Sequence, residues 1–165
     1  MEYELWQGEE GKAVYCGECD RCIRACPNSA ISDGKCVYGR CISYITQKKG
    51  ALSDEEYKAI GRQIYGCDVC QRVCPYNKNF KVSENEYAYP DIEKLLNMTN
   101  REFKEIYGNT AAGWRGKRTL QRNALAVLGN IGDEKGLDIA LKYTVSEYED
   151  LRSAAEYAVK CIKES

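Results

Sequence analysis

The sequence contains no histidine, and its 165 residues include only three prolines, two phenylalanines, two tryptophans and two methionines. Without histidine, the chain cannot build a Ser-His-Asp triad, a histidine-containing zinc site, a Rieske centre or a histidine-ligated haem. No run approaches the roughly 18 apolar residues that a membrane-spanning helix needs, and the N-terminus lacks the apolar segment of a signal peptide. We therefore expect a cytoplasmic protein with no membrane partner, in a reducing setting where no disulfide framework forms.

Cysteine, by contrast, is abundant. Of the ten cysteines, nine lie between Cys16 and Cys74, and only Cys161 lies outside that stretch. Glycines crowd the same half of the chain, and no apolar periodicity is sustained there. This pattern predicts loops that are organised around bound groups rather than around a large apolar core.

The strongest motif is Cys16-x2-Cys19-x2-Cys22-x3-Cys26-Pro27. This is the spacing of bacterial ferredoxins that bind [4Fe-4S] clusters. Three thiolates on one tight loop can reach three irons of a cubane, whereas the fourth cysteine points away and serves another cluster. The motif therefore predicts a second group of cysteines elsewhere in the chain.

A second run, Cys67-x2-Cys70-x3-Cys74-Pro75, repeats the last three positions of the first. We expect Cys41 to supply the missing cysteine, with the usual two-residue gap expanded to 25 residues. The crossing rule then gives two [4Fe-4S] clusters, the first on Cys16, Cys19, Cys22 and Cys74 and the second on Cys26, Cys41, Cys67 and Cys70.

Other interpretations of the cysteines remain open. Two four-cysteine zinc sites could use the same pairs, although zinc sites do not require the ferredoxin spacing and its trailing proline. A disulfide scaffold lacks a secretion signal to support it. Cys36 could replace Cys41 as a ligand, or it could be a free thiol. Cys161 adjoins the apolar stripe of the last helix, which favours a core position.

Outside the cysteine motifs, the pattern is mostly helical. Ser53 and Glu56 form a capping box for a helix that runs to about Ile64, and a second capping box begins at Thr99. We expect a longer helix with an apolar face to end at Gly129. Asp91 begins a short predicted helix, and Leu137, Ala140 and Leu141 mark the apolar positions of another. The box Ser146-x-x-Glu149 begins the last predicted helix, which carries an apolar stripe of Leu151, Ala155, Ala158 and Ile162.

Together these features predict an α+β protein. A bacterial-ferredoxin-like two-cluster domain occupies residues 1–80, and an all-helical, HEAT-like domain follows over residues 81–165.

Basic charge is concentrated in one stretch of the second half. Between residues 113 and 132 there are four basic residues and no acid, and these are candidate nucleic-acid contacts: Arg115, Lys117, Arg118 and Arg122. The alternative is a solvated helix face. Trp114 could stack on a base or a ribose, or it could be a buried anchor for its helix.

Four segments carry a family resemblance. They are CGECDRCIRACPNSAI from residue 16, RCISYITQKKG from residue 40, IYGCDVCQRVCPYN from residue 64, and TNREFKEIYGNTAAGWRGKRTLQRNALAVLGNIGD from residue 99. In this order they resemble the iron–sulfur domain and the C-terminal HEAT-like domain of the epoxyqueuosine reductase family. Asn28 and Tyr76 stand where that family often has threonine and tryptophan.

The resemblance implies a function in tRNA queuosine modification. It implies single-electron transfer from a ferredoxin- or flavodoxin-type donor, through the two clusters, to cobalamin. The reaction is the reductive removal of an epoxide oxygen from a modified tRNA nucleoside, and the tRNA anticodon region is the implied RNA partner. A binding module with structural clusters, or a stand-alone ferredoxin, is the alternative.

Family members carry an N-terminal domain that binds cobalamin, but only fifteen residues precede Cys16. We therefore expect either a fragment or a stand-alone relative whose separate partner protein binds cobalamin. In both cases the chain alone is expected not to be a complete enzyme.

Overall fold

The computed structural model describes residues 16–32, 35–78 and 89–165. The described part is rich in helix and has one short antiparallel hairpin, with β1 at Ile31–Ser32 and β2 at Lys35–Cys36. Within the described ranges, no helix is long and apolar enough to cross a membrane. Four helices lie in the cysteine-rich half: α1 Arg21–Ala25, α2 Ile42–Gln47, α3 Asp54–Ala59 and α4 Val69–Arg72.

Six helices follow in the second half. They are α5 Ile92–Asn97, α6 Asn100–Tyr107, α7 Ala111–Arg115, α8 Lys117–Ile131, α9 Leu137–Tyr143 and α10 Glu149–Lys163. Short 3-10 turns lie at Tyr38–Arg40, Pro75–Asn77 and Glu134–Gly136. The longest helices, α8 and α10, pack against each other, and α9 packs on α10.

Both predicted capping boxes are present. The Ser53 hydroxyl accepts a hydrogen bond from the Glu56 backbone N–H, and the Glu56 carboxylate accepts one from the Ser53 backbone. Thr99 and Glu102 make the same pair at the start of α6. Helix α3 ends at Ala59, earlier than the predicted Ile64, and Gly61 follows in the left-handed conformation, with φ of 57°.

Two predicted helix boundaries are wrong. Gly129 lies inside α8, and the helix ends instead at Gly132, which adopts the left-handed conformation. The Ser146 box does not cap α10, because α10 begins at Glu149 after Tyr148, and the Ser146 hydroxyl accepts from the Tyr148 N–H. The predicted stripe on α10 is buried as expected.

One apolar core runs through both halves of the described chain. Ile45, Tyr57 and Ile60 pack in the same cluster as Leu125 and Ala155. The core therefore includes residues on both sides of position 80, where the domain boundary is predicted. Cys161 is partly buried against this core. The HEAT-like label and the exact boundary stay predictions.

Candidate metal centre and basic surface

Two helices of the cysteine-rich half repeat the same local geometry. Each follows an aspartate with a bridge-region backbone, Asp20 before α1 and Asp68 before α4. Each leads to a Cys-Pro pair whose cysteine is extended, Cys26 with φ of −67° and Cys74 with φ of −71°. Helices α1 and α4 pack against each other. The two motifs therefore pack side by side, and the last cysteine of each lies near residues of the other motif.

Four of the predicted ligands surround one cavity. This cavity has a volume of about 220 Å³, and its wall contains Cys26 from the first motif together with Cys41, Cys67 and Cys70. Most of the remaining wall is apolar, with Ala30, Ile31, Ile42 and Val69, but Lys35 also lines it. Within the described ranges, no three His, Cys, Asp or Glu side chains converge on one point as they would around a single metal ion. Sulfur donors around an apolar space are the donor set that a [4Fe-4S] cubane takes.

Backbone and hydroxyl groups hold this cavity together. The Ala30 N–H donates to Cys26 Sγ at 3.2 Å, the kind of hydrogen bond that supports cluster sulfur. The buried Thr46 hydroxyl accepts from the Gly66 N–H at 3.1 Å, next to Cys67. Asn28 donates to the carbonyls of Arg40 at 3.1 Å and Ala59 at 2.9 Å, which ties the first motif to the loop before Cys41.

Cys36 lines the same cavity as the four cysteines above. It lies at the end of β2 and is exposed. Although the residue is exposed, partial desolvation of its thiol, followed by the neighbouring Cys41, Cys26 and Cys70, raises the pKa of Cys36. Burial followed by Cys67 likewise raises the pKa of Cys70. The structure thus places both candidates for the remaining ligand, Cys36 and Cys41, at one cavity.

The other four predicted ligands come from the turn before α1, from α1 itself and from the segment that follows α4. Cys16 and Cys19 are exposed and share a tight turn, because the Cys19 N–H donates to the Cys16 carbonyl at 3.0 Å. Cys22 lies on α1, and Cys74 follows α4; both are half-buried. The packing of α1 on α4 brings the two segments next to each other.

The prediction that Arg122 contacts RNA is wrong. Its side chain is 0% exposed. Its guanidinium donates to the carbonyls of Lys48 at 2.8 Å and Gly50 at 2.6 Å, and to Asn123 Oδ1 at 2.7 Å. Asn123 in turn donates to the carbonyls of Thr46 at 2.8 Å and Ile64 at 2.7 Å. These two side chains of α8 hold the chain segments that follow Cys41 and precede Cys67.

The three other predicted basic residues share one surface. Arg115, Lys117 and Arg118 line a cavity of about 520 Å³ together with Lys49 and Tyr148. Arg118 pairs with the largely buried Asp150 at 3.1 Å and lies over the Tyr148 ring at 4.8 Å. Lys117 donates to the carbonyl of Met98 at 3.0 Å. We call this set, with Trp114, the basic–aromatic surface.

Trp114 is not a buried anchor, since its side chain is 77% exposed. The Arg115 guanidinium lies over its ring at 4.6 Å. Arg115 also lines a second cavity with Tyr44, Gln47 and Lys49, on the side of α2. Lys49 is not among the predicted RNA contacts, although two adjacent lysines in the QKKG segment, Lys48 and Lys49, indicate local basic charge.

The chain is similar to known proteins. A family described as a 4Fe-4S double cluster binding domain matches residues 15–77. The epoxyqueuosine reductase of Lactococcus garvieae is 40% identical over 161 residues, which cover 88% of this chain and 44% of that protein. An uncharacterized protein from the gldA 3′ region of Geobacillus stearothermophilus is 39% identical over 153 residues, covering 87% of this chain and 71% of that protein.

Solved structures are similar over most of the described chain. The epoxyqueuosine reductase from Streptococcus thermophilus superposes with a TM-score of 0.83 and 36% identity, covering 96% of this chain and 44% of that one. An epoxyqueuosine reductase solved with a tRNA-Tyr epoxyqueuosine-modified tRNA stem loop superposes with a TM-score of 0.81 and 38% identity, covering 90% and 42%. This chain therefore spans less than half the length of the epoxyqueuosine reductases that it matches.

Proposed function

The chain belongs to the epoxyqueuosine reductase family, and its match is consistent with the C-terminal part of those proteins. We propose that it carries electrons and contacts RNA in tRNA queuosine modification. The iron–sulfur character follows from the family and its double cluster domain. The electron path, the acceptor and the RNA contacts are the parts that we propose.

Two [4Fe-4S] clusters, when bound, accept and release single electrons at low potential. We propose that Cys16, Cys19, Cys22 and Cys74 hold the first and that Cys26, Cys41, Cys67 and Cys70 hold the second. The role of the chain is to fix these thiolates, to donate N–H groups such as that of Ala30 to their sulfur, and to keep water away with apolar side chains. The proposed acceptor is cobalamin bound outside the described residues, and the donor is a low-potential carrier.

One observation carries this proposal. The last cysteine of the first motif, Cys26, lines a cavity with cysteines of the second motif. That crossing is what a two-cluster ferredoxin arrangement requires and what two independent zinc loops do not. The same crossing would hold the two clusters close together, since α1 and α4 pack directly. Short separation between clusters favours the transfer of electrons from one to the other.

The RNA contact is proposed for the basic–aromatic surface. Trp114 offers an exposed ring for stacking under the Arg115 guanidinium, and Arg118 and Lys49 supply further positive charge in the cavity that Arg115 also lines. The relative solved with a modified tRNA stem loop supports an anticodon-region RNA as the partner. Asp150 neutralises part of the Arg118 charge, so we expect modest, salt-sensitive affinity.

Reversible reduction tests the electron-transfer function. Protein reconstituted anaerobically with iron and sulfide is titrated with a low-potential reductant and followed by electron paramagnetic resonance. We expect reduced-cluster spin signals that disappear on reoxidation and return on a second reduction.

A second candidate is a binding module whose clusters only stabilise the loop-rich half. The basic–aromatic surface favours it, because that surface needs no redox chemistry to bind RNA. Clusters that stay spin-silent at every accessible potential, in a protein that still binds RNA, would replace the first function with this one.

A further inference from the structure

A strongly basic cavity lies beside the first group of cysteines. It has a volume of about 540 Å³, and four cationic side chains line it: Arg21, Arg24, Arg72 and Lys78. The wall between them contains Cys74 and Pro75. All four cations are exposed, whereas Cys74 is half-buried. A proposed ligand of the first cluster is therefore framed by positive charge at the protein surface.

Among the residues that the structure describes, few carboxylates neutralise this charge. Arg24 pairs with Asp20 at 3.0 Å, and these side chains are 72% and 52% exposed. An ion pair so exposed is weak and exchanges readily with a partner's carboxylates. Arg21, Arg72 and Lys78 form no ion pair with any carboxylate in the described ranges. Three cations thus remain available to an acidic surface.

The two proposed cluster sites have different neighbours. The cavity of the second group adjoins the start of α2 through Cys41 and Ile42, and the same helix carries Tyr44 and Gln47 beside Arg115 of the basic–aromatic surface. The basic cavity lies on the side of Cys74 and shares no residue with that surface. If the RNA substrate binds near Arg115, electrons leave from the second cluster and enter at the first.

We propose that the cavity formed by Arg21, Arg24, Arg72 and Lys78 around Cys74 is the docking site of an acidic one-electron carrier protein. This inference rests on the proposed electron-transfer function. Opposite charges steer the carrier towards the first cluster and orient its redox group at Cys74. With a flavin carrier, the anionic hydroquinone would lose one electron and become the neutral semiquinone, while a cluster held by Cys74 would pass from the 2+ to the 1+ state. No bond forms and no proton is transferred.

RNA is the competing occupant of a basic cavity. The cavity offers no exposed aromatic ring among its lining residues, unlike the surface around Trp114. Single-stranded RNA is bound through stacking as well as through charge. A purely cationic frame around a cysteine ligand fits an acidic redox protein better.

The experiment uses the reconstituted two-cluster protein and a flavodoxin as the acidic carrier. The double variant Arg21→Glu/Arg72→Glu is compared with Lys142→Glu/Lys163→Glu, which changes the net charge equally on α9 and α10. Two quantities are measured: the Kd for oxidised flavodoxin by calorimetry, and the second-order rate constant for reduction by flavodoxin hydroquinone. We expect the cavity variant to weaken binding and to slow reduction by about tenfold or more, with a flatter dependence on ionic strength. The control variant should stay within about twofold of the unmodified protein.

Three results would overturn the docking site in distinguishable ways. If both double variants react with flavodoxin alike while dithionite still reduces their clusters, the docking site is wrong and the electron-transfer function stands. If the cavity variant instead loses affinity for a tRNA anticodon stem loop and keeps its flavodoxin kinetics, the cavity binds RNA. If dithionite reduces no cluster in the unmodified protein, the electron-transfer function itself fails, and the docking site fails with it.

Discussion

Arg122 and Arg115 have the same side chain and opposite surroundings. Arg122 is enclosed and donates to the backbone carbonyls of Lys48 and Gly50, whereas Arg115 is only half-buried and lies over the exposed Trp114 ring. Burial lowers the pKa of Arg122, and Tyr57, Asp150 and Glu56 oppose that shift. Because the ordinary pKa of arginine is so high, the buried guanidinium keeps its charge. Its role is to fix the loop after Cys41.

Replacing Arg122 with methionine therefore tests a structural role. Arg122→Met leaves the carbonyls of Lys48 and Gly50 without their donor, and we expect a loss of about 3 kcal/mol in the free energy of unfolding. Denaturant unfolding followed by circular dichroism measures it. The matched variant Arg115→Met, at the surface, should change stability by less than about 0.5 kcal/mol. Equal effects of the two substitutions would contradict the assignment.

Iron content distinguishes Cys41 from Cys36. In Cys41→Ser the second cluster loses a proposed ligand, so we expect about four irons per chain after anaerobic reconstitution instead of about eight. Cys36→Ser should retain about eight, since the proposed assignment gives the second cluster four other ligands, although Cys36 lines the same cavity. The opposite pattern would make Cys36 the ligand, and the inserted loop would then begin earlier in the sequence, after residue 36.

Helix α8 connects the helical half of the chain to the cysteine-rich half. Besides Arg122 and Asn123, its Asn130 donates to the carbonyls of Tyr57 and Gly61, both at 2.8 Å. Its other face packs on α10, where Gly129 lets the helices approach. A Cβ at this glycine would lie 2.7 Å from Ala158 Cα and 3.2 Å from the Tyr157 ring. Close helix packing thus explains a glycine in the middle of a helix.

Gly129→Ala should destabilise the protein despite the higher helix propensity of alanine. The added methyl group forces α8 and α10 apart, and we expect a loss of about 1–3 kcal/mol in the free energy of unfolding. The control is Gly39→Ala, where a Cβ meets nothing within 4 Å; it should change stability by less than about 0.5 kcal/mol. If Gly129→Ala instead raised the unfolding midpoint, the close packing would be incorrect.

Local signals in the sequence predicted the elements well, and long-range contacts account for the failures. The boxes at Ser53 and Thr99 are found because all their partners lie within three residues. Gly129 looks like a helix end, because its reason for being glycine lies on another helix. Arg122 falls in a basic stretch, and nothing nearby in sequence shows that its partners are the carbonyls of residues 48 and 50.

The cysteine spacing predicts more of the long-range structure than any other feature of the sequence. Cluster chemistry constrains spacing directly, so Cys26 could be placed with Cys67 and Cys70 across a long separation in sequence. The spacing does not distinguish Cys36 from Cys41, since an expanded gap before Cys67 could begin after either residue. Nor does composition reveal that Tyr57 and Leu125 share one core. That continuity appears only when the chain is folded.

Charge reversal on the basic–aromatic surface tests the proposed RNA contact. Arg115→Glu/Arg118→Glu should weaken binding of a tRNA anticodon stem loop and flatten the slope of log K against log salt concentration by about 1.5–2, the contribution of two phosphate contacts. Fluorescence anisotropy across a salt series measures it. Lys142→Glu/Lys163→Glu carries the same change in net charge and should leave the slope unchanged. Similar slopes for both variants would refute the proposed surface.

Iron and acid-labile sulfide analysis of anaerobically prepared protein tests the central claim most directly. Two [4Fe-4S] clusters on crossed cysteine motifs predict about eight irons and about eight sulfides per chain, with no stoichiometric zinc. Stoichiometric zinc without sulfide would contradict the account.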